Sequence, residues 1–244
     1  MEVLDSKGIL FQELNCSIKN ILKSGKTEIH LKNVEGQRYI GGGIQGDHKF
    51  IIEGTPGNDM AAYMDGPELK VMGNAQDAIA NTMNSGRIIV YGNAGDTVGY
   101  AMRGGEIFIK GNVGYRVGIH MKEYSEKKPV IVIGGKAGDF LGEYLAGGII
   151  ILLGLDILDT EVVGNYCGTG MHGGAIYIRG YVDPFKLGKD VKVEEANAAD
   201  LESIKAYVER FSKYFGVDCS YIMSSRFSKL SPLSRRPYGN LYAY

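Results

Sequence analysis

Cys167 and His172 stand five residues apart in "GNYCGTGMHGG", close enough to ask whether an imidazole could take the thiol proton and leave a thiolate nucleophile. The glycine-led repeat described below aligns Cys167 with Val98 and His172 with Arg103, so the cysteine falls in an ordinary inward slot. His30, His48 and His120 show no HxxxH or HExxH spacing and read as surface or turn residues rather than metal ligands. Asp59, Asp77, Asp96 and Asp139 recur beside glycines and, once stacked, would resemble calcium-binding turns. The GGxGxDxUx nonapeptide of such turns is absent, and aspartate suits tight turns because it bonds the local backbone. "GNAGDTVG" has a phosphate loop's glycines without its GK[ST] ending or its strand-to-helix context. Cys16, Cys167 and Cys219 lie 151 and 52 residues apart, which gives neither a CxxC site nor a disulfide framework. No catalytic, cofactor-binding or metal-binding residue is assigned to this chain.

The elements that would hold such residues announce themselves through glycine. The chain has 36 glycines in 244 residues, about twice the usual share of ~7%, without collagen's period or a proline excess. The hydrophobic fraction of 44% and net charge of −1 are those of a globular protein and imply no nucleic-acid partner. "MEVLDSKGIL" lacks the basic flank of a signal peptide, and no stretch approaches the ~18 apolar residues of a membrane helix. A cytoplasmic protein without a membrane partner is the expectation.

Gly54, Gly73, Gly92 and Gly111 follow one another at intervals of nineteen. Gly135, Gly154 and Gly180 continue the series at intervals of 24, 19 and 26, the surplus lying in "KEYSEKK" and "LDILDTE". Four and two residues before each glycine stand Phe50/Ile52, Leu69/Val71, Ile88/Val90, Ile107/Ile109, Ile131/Ile133, Ile150/Leu152 and Ile176/Ile178, all apolar. Period-two alternation with one constant apolar face predicts seven half-buried strands. Met64, Met83, Met102, Met121, Leu145 and Met171 form a second inward ladder. A nineteen-residue unit cannot bury its own apolar face, so the units must stack. The fold class predicted is all-β, a single-stranded right-handed parallel β-helix of about seven turns over 36–180, its rungs about 4.8 Å apart. Glycine recurs because the corners need positive φ or close backbone approach. A left-handed acyltransferase helix would instead repeat every six residues.

Open ends must be covered. Residues 1–35 form an N-terminal cap segment, with a short helix at "SIKNILKSG" and a strand at "TEIHLKN". Residues 181–244 form a cap or arm with an amphipathic helix at about 197–215, built on Leu201, Ile204, Val208, Phe211 and Phe215. Asn197 with Asp200 makes a capping box and Gly216 a stop. Outward positions turn apolar in the late rungs, at Val130, Val132, Ile149, Ile151 and Tyr177, so either that helix or a partner subunit covers them. Arg235, Arg236, Tyr238, Tyr242 and Tyr244 make the tail either a docking arm or a segment packed on its own domain.

"GNAGDTVGYAMRGGEIFIKG" and "GKAGDFLGEYLAGGIIILLG" resemble coils of the C-terminal glycine-repeat domain of the glutamate synthase large subunit. "IHLKNVEGQRYIGGGIQG" resembles that domain's entry segment, "GNYCGTGMHGGAIYIRG" its last turn, and "RPYGNLYAY" the end of the archaeal-type version made as a separate polypeptide. The same coil occurs in the C subunit of formylmethanofuran dehydrogenase; the flanks favour glutamate synthase. The resemblance implies a right-handed β-helix of seven turns and a non-catalytic scaffold. Its partners would be an amidotransferase subunit that hydrolyses glutamine and an FMN/iron–sulfur subunit that makes glutamate from 2-oxoglutarate. It places FMN and the cluster on those partners and no cofactor here: Met1 precedes Glu2 rather than cysteine, and the clustered iron–sulfur cysteines are missing. A self-associating β-helix binding protein is a further alternative. A polysaccharide lyase would need a groove of acids with Arg or Lys, which is not evident.

Overall fold

The structure, a computed structural model, describes residues 1–155 and 161–234. Strands β1 (Glu2–Asp5) and β2 (Glu28–Glu35) flank helix α1 (Phe11–Lys23). The glycine-repeat region contributes β3 (Lys49–Thr55), β4 (Asp65–Val71), β5 (Ser85–Val90) and β6 (Glu106–Ile109). It continues through β7 (Val130–Ile133), β8 (Ala146–Leu152) and β9 (Gly173–Arg179). Then follow β10 (Val191–Glu195), helices α2 (Ala198–Phe215) and α3 (Cys219–Met223), and β11 (Phe227–Pro232). These strands make one sheet in the order β1 to β9, then β11 and β10. Pairing is parallel from β1 to β9 and antiparallel where β11 meets β9 and β10. The seven strands that carry the glycine ladder bound six complete coils, so the chain is a β-solenoid of about six turns.

Register follows the apolar face. Phe50, Leu69, Ile88, Ile107, Ile131, Ile150 and Ile176 are successive Cα partners, and so are Ile52, Val71, Val90, Ile109, Ile133, Leu152 and Ile178. All are buried, as is the ladder of Met64, Met83, Met102, Met121, Leu145 and Met171. A slip of one residue would turn both strand rows out to water at once, which is why the register is fixed. Ile29 and Leu31 of β2 extend these rows, so residues 1–35 add rungs to the sheet as well as covering its end. Helix α1 begins at Phe11, earlier than "SIKNILKSG" suggests, because Leu14 and Ile18, four apart, lay one face on the solenoid core. At the other end Val182, Leu187, Val191 and Leu230 close the same core.

A second apolar core lies outside the coil. Ile89, Phe108, Val130, Val132, Ile149, Ile151 and Tyr177 on the outer strand face pack with Ile204, Val208 and Phe211 of α2, Ile222 of α3 and Phe227 of β11. Helix α2 is fixed at both ends: Asn197 Oδ1 accepts from Asp200 N at 3.0 Å, Asp200 Oδ2 accepts from Asn197 N at 3.1 Å, and Gly216 closes the helix at φ +69°. Arg210 reaches from the helix to Glu106 at 2.8 Å, which in turn binds Arg87 at 2.9 Å. The helix therefore spans five rungs, β5 to β9.

Candidate interaction surface at the rung corners

Each coil turns through residues that alternate into positive φ. The triplets are Asp59/Ala61/Tyr63, Ala78/Ala80/Thr82, Thr97/Gly99/Ala101, Arg116/Gly118/His120 and Phe140/Gly142/Tyr144. Left-handed backbone costs a non-glycine residue on the order of 1–3 kcal/mol. Hydrogen bonds between rungs offset that cost: Asp59 N donates to Asp77 O, Ala78 N to Asp96 O and Thr97 N to Tyr115 O, at 2.8–3.0 Å. The middle member faces the core. A Cβ on Gly118 would sit 2.5 Å from Ile150 Cδ1, and the alanines at this position, Ala61 and Ala80, are buried. The outer members lie exposed or half-exposed at the surface, except Thr82, which is buried.

The carboxylates and amides along the coil are committed to this stacking. Asp77 Oδ1 accepts from Asp96 N at 2.9 Å, Asp96 Oδ1 from Tyr115 N at 2.8 Å, and Asp139 Oδ1 from Asn165 N at 2.7 Å. Each aspartate thus bonds the next rung rather than its own turn, a correction to the local bonding expected from sequence. Beside them Asn74, Asn93 and Asn112 each accept from the backbone N–H one rung on, at 2.8 Å. The ladder glycines serve this arrangement: a Cβ on Gly92, Gly111 or Gly135 would take the space of the preceding rung's asparagine Oδ1. Gly73 lies against Gly54 O, while Gly54, Gly154 and Gly180 adopt positive φ.

The remaining chemically capable residues are dispersed. Cys167 is fully buried in the inward row with Val98 and Val117, and burial pushes its thiol up to about 12. His172 lies half-buried with Nδ1 3.3 Å from Gly170 O, so the sequence pair forms no nucleophile and base. His30 Nε2 meets Glu53 Oε1 at 2.8 Å on the outer face. Among the described residues no group of three or more His, Cys, Asp or Glu converges as metal ligands.

Of the interface candidates, Val130, Val132, Ile149, Ile151 and Tyr177 lie buried beneath α2, so the chain's own helix covers this face and they offer no free surface to a partner. Tyr177 also donates to Asp200 at 3.3 Å, and Lys229 Nζ meets the same carboxylate at 2.6 Å. Arg235, Arg236, Tyr238, Tyr242 and Tyr244 lie outside the described residues.

The surface left open is one that sequence reading missed. Tyr39, Tyr63, Tyr100, Tyr144 and Tyr166 are all exposed along the corner edge. Toward the C-terminal rungs the rings stack: His120 on Tyr144 at 5.2 Å and 6°, Phe140 on Tyr166 at 5.0 Å, with Tyr100 edge-on to His120 at 5.9 Å. The Arg116 guanidinium carbon lies 5.3 Å from the centre of the Phe140 ring, and its Nε 3.2 Å from Glu143 Oε2. A signal existed in the residue immediately before the methionine ladder, which is Tyr63, His120 and Tyr144 in three coils.

Known proteins carry the same coil. A chain of the formyltransferase/hydrolase complex of Methylorubrum extorquens, crystallised with methylofuran, aligns over 95% of this chain and 91% of its own. The TM-score is 0.67 at 18% identity, a likeness of fold. An uncharacterized protein of Methanocaldococcus jannaschii, MJ1350, is 51% identical over 98% of this chain and 95% of its own length. The family model described as GXGXG motif matches residues 7–232. With that match running over nearly its whole length, the chain belongs to the GXGXG motif family.

Proposed function

We propose that this chain is a non-catalytic scaffold subunit of a multi-chain glutamate synthase, cytoplasmic, that positions an amidotransferase subunit and an FMN/iron–sulfur subunit. The observation that carries the reading is the exposed aromatic edge. A solenoid whose outer apolar face is already covered by α2 still presents five tyrosines to solvent along one line of corners. Tyrosine is favoured where protein surfaces meet, because it buries a large rigid area and keeps a polar end. The corner carboxylates and amides meanwhile hold rung to rung, which suits a rigid spacer. Membership of the GXGXG motif family supports the same reading, and FMN and the iron–sulfur cluster belong on the partner subunits.

The likeness of fold to a chain of the formyltransferase/hydrolase complex favours a second reading, a C-subunit-like scaffold of a formylmethanofuran dehydrogenase. Pull-down of the tagged full chain from its native extract, with mass spectrometry and an assay for glutamine-dependent glutamate formation, separates the two. Recovery of amidotransferase and flavoprotein chains with that activity supports the first. Recovery of formylmethanofuran subunits supports the second. Recovery of this chain alone, self-associated, overturns both.

A further inference from the structure

The aromatic edge contains, three rungs apart, a completed cluster and an incomplete one. In the completed cluster Arg116 lies over the Phe140 ring and against the Glu143 carboxylate, so a cation, an aromatic face and an acid satisfy one another within the chain. Asp59 occupies the coil position that Arg116 occupies, at 59, 78, 97 and 116 in steps of nineteen. Around Asp59 the sign is reversed. Tyr39, Asp59 and Tyr63 line an open depression of about 420 Å3, completed by Gly42, Gly43, Ala62 and Asn81. Asn81 Nδ2 donates to Asp59 Oδ1 at 3.1 Å, a neutral partner that leaves the negative charge in place. Among the described residues no lysine, arginine or histidine ion-pairs with Asp59; Lys19 lines an adjoining hollow beyond Tyr39. Tyr39 is steadied from behind by Phe11, 5.9 Å between ring centres, while Gly42, Gly43 and the small Ala62 leave room between the two tyrosines.

Aromatic faces beside an unpaired carboxylate attract one class of group, an organic cation, through the ring quadrupole and direct charge together. We infer that this depression binds an ammonium or guanidinium between the rings of Tyr39 and Tyr63 and against Asp59. The cation is either a lysine or arginine side chain of a partner polypeptide or a free small amine. The first source rests on the scaffold reading; the second does not.

Titration of the isotopically labelled full chain with N-acetyl-arginine methylamide, N-acetyl-lysine methylamide and tetramethylammonium, followed by nuclear magnetic resonance, tests the site. N-acetyl-norleucine methylamide is the neutral control. Saturable shifts at the Tyr39 and Tyr63 rings are expected in the millimolar range, with binding weakened about tenfold in Asp59→Asn. Asparagine tolerates the φ of +58° at position 59 and keeps a hydrogen bond, so that variant removes charge without disturbing the turn. Tyr63→Asn, chosen for the same tolerance, removes the ring and guards against a variant that fails to fold. The extract pull-down repeated with both variants identifies the source. Loss of captured chains points to a partner side chain; unchanged capture with amine binding points to a small amine. Equal binding of the neutral control, or unchanged capture with no amine binding, overturns the site, and in the latter case the scaffold reading survives.

Discussion

Cys167 shows how position on the coil sets chemistry. Its thiol lies in the inward row, and burial holds it protonated at neutral pH, its value pushed up to about 12. Titration with a disulfide reagent at pH 8 is expected to label exposed Cys16 quickly and Cys167 only after denaturant is added. Cys167→Val, which copies the residue at the matching position of another rung, is expected to change stability by less than about 1.5 kcal/mol. Gly118 behaves oppositely. With φ at +72° and Ile150 Cδ1 2.5 Å from any added Cβ, Gly118→Ala is expected to cost about 1–3 kcal/mol in urea unfolding. Ala80→Gly, at the matching position, relieves left-handed strain but removes a buried methyl, so its midpoint is expected to move little. The inward residues were legible because one alternation repeats in seven strands. The aromatic edge was not, since its rings shift between neighbouring coil positions and Thr82 and Ala101 interrupt them.

At the scale of elements, α2 is bound to the sheet by its apolar face and by one polar knot. Burial works to raise the Asp200 carboxyl, but the Lys229 ammonium, the Asn197 N–H and the Tyr177 hydroxyl outweigh it and hold the group below its ordinary 3.8. A depressed folded value stabilises above the unfolded one and loses that contribution as pH falls through the folded value. Unfolding measured from pH 5 downward is therefore expected to show a stability loss beginning near 3.8, smaller in Asp200→Asn. Lys229 is raised by the same carboxylate, so its contribution is present below 10.5 and fades as pH climbs through the raised value. Helix α2 was legible from its capping box and three- and four-residue spacing. The antiparallel closure by β10 and β11 was not. Phe227 and Leu230 lie three apart, on opposite faces of one strand, and serve the outer and inner cores in turn, so β11 shows no constant apolar face to a reader of the sequence.

Viewed whole, the molecule is a column whose two ends are finished differently, by α1 at one and by the antiparallel pair at the other. Nineteen-residue spacing made the column legible; how the ends close depends on packing between segments far apart in sequence. The splint that α2 provides is also unevenly placed, gripping β5 to β9 and leaving β2 to β4 joined by their ladders and the inner core. Hydrogen bonds between rungs run along the column axis, so tension between its ends loads them in series, and such a chain parts at its weakest link. Stretched in an optical trap, the protein is expected to unravel from the N-terminal end first, in steps of roughly 60 Å for each nineteen-residue coil released. The splinted half would then yield in a single later rupture at higher force. Cutting the grip with Phe211→Ala should erase that difference and let the whole column unwind as an even staircase.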